Sequence, residues 1–171
     1  MATPDESVQD IFQPSGRLRG ELLNEPATGV LNESLRLARD TRWDSVRSPH
    51  VFMGLLAAPD SSVHKWGERL GADLPRLLEQ FRELFHQEDG EGNAVLFLNR
   101  EFLSDNVIRL LRDASNRATD HRRSRLTPMD LLISLLTAPN SIVAECFERI
   151  GVTAAKLTEL AVMAEQDAHQ A

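Results

Sequence analysis

Apolar residues along this chain fall three and four positions apart, in blocks separated by short polar breaks, as the buried faces of helices require. Val30, Leu31, Leu37 and Ala38 form one such face. Val51, Phe52, Met53, Leu55 and Leu56 form a denser block, apolar nearly all round, which predicts a central buried helix. Two further blocks lie at Val63, Trp66 and Leu70, and at Leu74, Leu77, Leu78, Phe81, Leu84 and Phe85.

The series of blocks then recurs. Shifted by 80 positions, the chain aligns on itself without a gap. Glu21 falls on Glu101, Ala38 on Ala118, Asp40 on Asp120 and Arg42 on Arg122. Leu55-Leu56 falls on Leu135-Leu136, Ala58-Pro59 on Ala138-Pro139, and Glu68, Arg69 and Gly71 on Glu148, Arg149 and Gly151. The chain is therefore a duplicated unit.

Start and stop signals divide each unit into four helices. The first is expected from Asn24 or Ser104 as cap to about Trp43 or Asp120. The second is expected to open at Ser48-Pro49 or Thr127-Pro128, the latter completed as a capping box by Asp130, and to close at Pro59 or Pro139. The third starts after Asp60 or Asn140 and stops at Gly71 or Gly151. The fourth starts at Asp73 or Thr153. The expected fold is all-α: two four-helix repeats related by a pseudo-two-fold. Residues 1–20 read as a flexible N-terminal segment, 21–86 as the first repeat, 87–100 as a linker and 101–168 as the second repeat. The acidic, Gly-rich QEDGEGN stretch marks the linker.

Composition narrows the function. Leu, Ala, Arg and Glu dominate, Tyr is absent, and aromatics make up 5% of the 171 residues. This composition favours helices over sheets. A net charge of −7 argues against general nucleic-acid binding, which rests on Lys and Arg against phosphate. The single Cys146 excludes an internal disulfide and suits a reducing, cytoplasmic setting. The first ten residues lack a secretory pattern, and no apolar run suggests a membrane span. The five histidines form no metal-ligand spacing, no carboxylate pair stands out as acid and base, and Cys146 has no triad partner nearby. No catalytic residue, metal or cofactor is expected.

Two stretches carry a family resemblance: SPHVFMGLLAAPDSSVHKWGERLG and TPMDLLISLLTAPNSIVAECFERIG. In order, spacing and duplication they resemble the N-terminal (Clp R) repeat domain of Clp unfoldases, over about residues 21–165. The chain has no G-x-x-x-x-G-K-[ST] phosphate loop, so the resemblance implies the accessory part of such a machine without its ATPase modules. It implies a non-catalytic module that docks on a Clp-type unfoldase or protease, or captures adaptor or substrate proteins for it, either as helper or as decoy. A second implied reading is sequestration of an apolar small molecule or peptide.

In the family, the partner surface uses an apolar residue just before the first helix of each repeat. The matching residues are Leu23 and Leu103, with Phe102 beside the latter; as hydrophobic staples they would instead pack on their own helices. Some relatives recognise phosphoarginine through an acidic residue before a conserved His. Here Pro49 and Met129 stand at those positions and Asp130 replaces the second His, so this recognition is not carried over. Arg117, Arg122 and Arg123, with Arg42 in the first repeat, read either as a basic surface for an acidic partner or as solvated helix ends. Cys146 overlays Trp66 and is expected to fill the same core slot.

Overall fold

The computed structural model describes residues 10–170 apart from Glu91 and Asn93. Eight α-helices are present among the described residues: α1 (Glu25–Asp40), α2 (Ser48–Ala57), α3 (Ser61–Leu70), α4 (Leu74–Leu84), α5 (Asp105–Asp120), α6 (Pro128–Thr137), α7 (Ile142–Glu148) and α8 (Ala154–Gln170). The 80-residue shift carries α1 onto α5 and α2 onto α6 residue for residue.

The caps repeat as well. Asn24 and Ser104 accept from the Ala27 and Val107 amides. Asp60 and Ser141 cap α3 and α7, and Asp73 and Thr153 cap α4 and α8. At the ends of α1 and α5, Arg42 and Arg122 both take left-handed φ values, 67° and 59°. This stops α1 at Asp40, short of the expected Trp43.

Two helix starts differ from expectation. Arg47, not Ser48, is the N-cap of α2, because the His50 ring at the third helical position accepts from the Arg47 amide. Asn140 does not cap α7. Its φ of 57° removes it from the extended conformation that a cap needs, and Ser141 takes over. α7 therefore starts one residue later than α3, and it also ends two residues earlier, at Glu148 and not at the expected Gly151.

α2 and α6 form the centre, with α1 and α4 on the first and α5 and α8 on the second. α1 and α2 approach closely at Gly54, where a Cβ would lie 2.5 Å from both Ser34 Oγ and the Val30 carbonyl oxygen. Ser134 occupies the Gly54 position in the second repeat, opposite Ala114 instead of serine, so the small side chain has changed sides of the contact.

The halves share one core. Phe147 of α7 sits among Phe52, Trp66 and Phe81 of the first repeat, with ring centroids 5.9–6.4 Å apart. Its counterpart is Gly67, while Trp66, fully buried, has Cys146 as counterpart. The large side chain has moved by one position in α7. Cys146 therefore does not fill the Trp66 slot, as expected from the overlay, but is left half-buried.

A second seam is made by main chain. The Asn24 amide donates to the Leu126 carbonyl (3.0 Å), and the Leu126 amide donates to that of Leu22 (2.8 Å). With roles exchanged, the Ser104 amide donates to Val46 (3.0 Å) and the Val46 amide to Phe102 (2.8 Å). Residues 22, 24 and 46 correspond to 102, 104 and 126, so each bond occurs twice, as a two-fold relation between repeats demands.

Residues 10–20, part of the segment expected to be flexible, dock on the helices; residues 1–9 of that segment lie outside the described residues. Ile11, Phe12 and Leu18 are buried. Asp10 pairs with Arg112 of α5, and the guanidinium groups of Arg100 and Arg112 lie 5.8 and 5.6 Å from the Phe12 ring. Two adjacent apolar residues show no periodicity, so the sequence pattern did not mark them. Residues 94–100 of the expected linker are also docked: Leu96 is buried, and the Leu18 amide donates to the Leu98 carbonyl.

Candidate functional site

Leu23 and Leu103 follow short 3₁₀ turns, Gly20–Leu22 and Arg100–Phe102. Both are extended residues of the main-chain seam, bridged to Leu126 and Val46. Their side chains are buried, at 4% and 7% exposure, so as exposed partner contacts both expectations are corrected. The seam turns each side chain into the inter-repeat core.

Leu23 and Phe102 nevertheless line one pocket, of about 800 Å³. Leu103 is not part of it. Leu23 and Leu18 contribute buried wall, Leu35 projects from α1, and Phe102 faces Phe97 with ring centroids 5.9 Å apart. The segment 94–98 alternates: Leu96 turns into the core, whereas Val95 and Phe97 are 64% and 60% exposed. Glu21 and Glu101, equivalent residues of the two repeats, both border the pocket. Phe97 and Leu35 were missed from sequence. The unbroken apolar run Val95-Leu96-Phe97-Leu98 carried a signal, but it lay in a stretch read as linker.

The arginines divide. Arg117 and Arg123 are not a free basic surface. Both bind Asp130, which is fully buried, at 2.7 and 2.5 Å, and Arg117 also binds Glu165 at 2.9 Å. Burial alone would push the Asp130 carboxyl up. Hydrogen bonds from Arg123, the Thr127 amide and Arg117 outweigh it and hold the carboxyl below the usual carboxylate range. Glu165 behaves likewise, through Arg117. Arg42 is exposed and donates to the Glu88 carbonyl, and Arg122 is exposed. Their shared left-handed geometry places both at the turn after the first helix of a repeat.

The four positions of this ionic cluster correspond to Leu37, Trp43, His50 and Phe85 in the first repeat. There the same space is neutral. The half-buried Trp43 donates its indole N–H to the Phe85 carbonyl at the end of α4 (2.6 Å). The buried His50 ring accepts at Nδ1 from the Arg47 amide (2.9 Å), which assigns its proton to Nε2, 3.1 Å from Thr41 Oγ1. Burial, with the Arg47 charge nearby, lowers the His50 pKa to about 4.

Trp43, His50 and Phe85 open onto a second cleft, of about 350 Å³, between the first repeat and α5, α6 and α7. Arg109 and Asp113 of α5 and Ile142 and Glu145 of α7 line its far side. Among the described residues, no group of three His, Cys, Asp or Glu side chains is arranged to hold a metal ion. Burial pushes the Cys146 thiol up, away from the thiolate form a nucleophile needs. No single described helix is long and apolar enough to cross a membrane.

No protein-family model and no curated protein matches this sequence. Solved structures do match. The N-terminal domain of the caseinolytic-protease-associated chaperone ClpD of Arabidopsis thaliana is 17% identical, with 88% of this chain and 99% of that one covered and a TM-score of 0.66. The Hsp104 N-terminal domain of Candida albicans is 12% identical over 82% and 89%, also at 0.66. The ClpV N-domain in complex with a VipB peptide is 18% identical over 85% and 88%, at 0.61. With eight helices among the described residues, four in each repeat, this chain has the fold of the Clp N-terminal domains.

Proposed function

We propose that the chain is a non-catalytic protein-interaction module that docks on a Clp unfoldase–protease system or captures adaptors and substrates for it. Its contact is the pocket between Leu23, Leu35, Phe97 and Phe102. The observation that carries this reading is Phe97: a large aromatic ring, 60% exposed, tilted against Phe102 in a cavity whose apolar wall includes Leu18, Leu23, Leu35 and Leu96 and whose other lining is largely polar. Concave apolar sites with a few polar groups at the rim are where partners bind, and clustered exposed apolar groups mark interfaces. The ClpV N-domain, of the same fold, takes a peptide.

The test is affinity capture from lysate with the purified chain, followed by identification of what is retained. Clp unfoldase or protease subunits are expected with the wild type and are expected to be lost with Phe97→Asp. Leu23→Asp is unsuitable, since it places a charge in the core. Failure of the wild type to retain any Clp subunit, or equal retention by Phe97→Asp, refutes the assignment.

A further inference from the structure

The duplication supplies an internal template for a second surface. In the first repeat, α3 is covered by α8, which crosses from the second repeat. The Trp66 indole donates to the Leu157 carbonyl (3.2 Å), and Arg69 pairs with Asp167 at 2.7 Å. Ser62 and Trp66 of that face are buried and Leu70 is half-buried. The relation is not returned. α4, the counterpart of α8, packs on α2 and does not run along α7.

The equivalent stretch of the second repeat carries Ile142 and Cys146 on α7 and Ile150 in the turn directly after it, at i, i+4 and i+8. It is the more apolar of the two faces, yet Ile142 is 43% and Ile150 74% exposed. Arg149, counterpart of Arg69, is exposed and makes no ion pair among the described residues. Ile142 also borders the cleft that holds Phe85, so the stripe continues into a groove.

We infer that this face of α7 docks an amphipathic helix of a partner protein, one that presents an apolar stripe to Ile142, Cys146 and Ile150 and a carboxylate to Arg149. The occupant follows from charge complementarity. The sister guanidinium, Arg69, is met by an aspartate on a covering helix, and Arg149 offers the same cation beside a stripe that wants the same cover. Cys146 in place of Trp66 leaves room for a larger side chain on the incoming helix. The surface is distinct from the Phe97 pocket and does not depend on it.

A fluorescently labelled peptide with the sequence of α8, Ala154–Gln170, is the probe, read by anisotropy against the full chain. Saturable binding is expected. Ile150→Glu should weaken it at least tenfold with no change in melting temperature, since that side chain is three-quarters exposed. Arg149→Glu should weaken it similarly, and a peptide carrying Asp167→Lys should restore binding to that variant. No saturable binding, or binding indifferent to both α7 substitutions, overturns the inference. So does concentration-dependent dimerisation in sedimentation that Ile150→Glu abolishes, which would assign the face to a second copy. Retention of Clp subunits by the Phe97 pocket is unaffected by either result.

Discussion

Acidification should expose His50 as a titrating fault in the first repeat. The ring is buried at 1% exposure, and both nitrogens are engaged in the neutral form. A second proton would go to Nδ1, the atom that accepts from the Arg47 amide, and would set N–H against N–H. The folded-state pKa is about 4, whereas the unfolded chain has the ordinary value of 6.5. A histidine depressed in this way contributes stability above pH 6.5 that is lost as pH falls towards 4, because the unfolded chain takes up the proton first. The shift corresponds to roughly 3 kcal/mol in full, of which about 2 kcal/mol is lost between pH 7 and pH 5. Urea denaturation at those two pH values, on the wild type and on His50→Gln, measures it. Glutamine keeps an acceptor for the cap but cannot titrate. The wild type should lose about 2 kcal/mol more than the variant over this range. Parallel losses in the two proteins would refute the account of His50 as a buried neutral ring. The carboxylates of Asp130 and Glu165 do not interfere, since their pKa values are lowered and their contribution is lost only at still lower pH.

Asp130→Ala should cost about 3 kcal/mol in the same urea assay, because it removes both hydrogen bonds of Arg123 and one of Arg117 beside a buried void, leaving Glu165 as the one carboxylate of the cluster. Replacing Arg117, Arg123, Asp130 and Glu165 together by Leu, Trp, His and Phe, the residues of the sister repeat, should be far milder than Asp130→Ala alone; a larger loss would show that the ionic cluster is not interchangeable with its neutral counterpart. Gly54→Ala should cost roughly 1–3 kcal/mol by forcing α1 from α2 at Ser34 and Val30, and Ser34→Ala in the same chain should recover part of it, as Ala114 opposite Ser134 suggests; thermal melts compare the two.

The fold was legible because duplication made every signal appear twice. Asn24 and Ser104, and Asp73 and Thr153, marked the same boundaries independently, whereas Gly71 ends α3 and Gly151 lies past the end of α7 at Glu148. Legibility failed where the copies differ or where no period exists. Asn140 overlays Asp60 but turns left-handed, and the large side chain of the aromatic core shifted from the Trp66 position to Phe147. Phe12 docks against the distant cations of Arg100 and Arg112, which no local pattern reveals. For the candidate site, Leu23 and Phe102 were found and do share a pocket, but residue type alone could not tell that Leu23 and Leu103 face inward. That depended on the main-chain seam, whose partners lie about 60 to 100 residues away. Arg117 and Arg123 show the same limit: charge runs announce arginines, while the carboxylates that neutralise these two come from other helices.

The exchanged bonds at Leu22, Asn24 and Val46 have a bearing on how such a chain can be cut. A fragment holding residues 21–86 alone would carry both the donors and the acceptors of the seam, unsatisfied, along an edge that fits its own duplicate. Two fragments would therefore associate head against head in proportion to their concentration, whereas the intact polypeptide holds the mating edges together at a fixed, high effective molarity. Severing the chain between the repeats should turn a unimolecular folding equilibrium into one that dilution can dissolve.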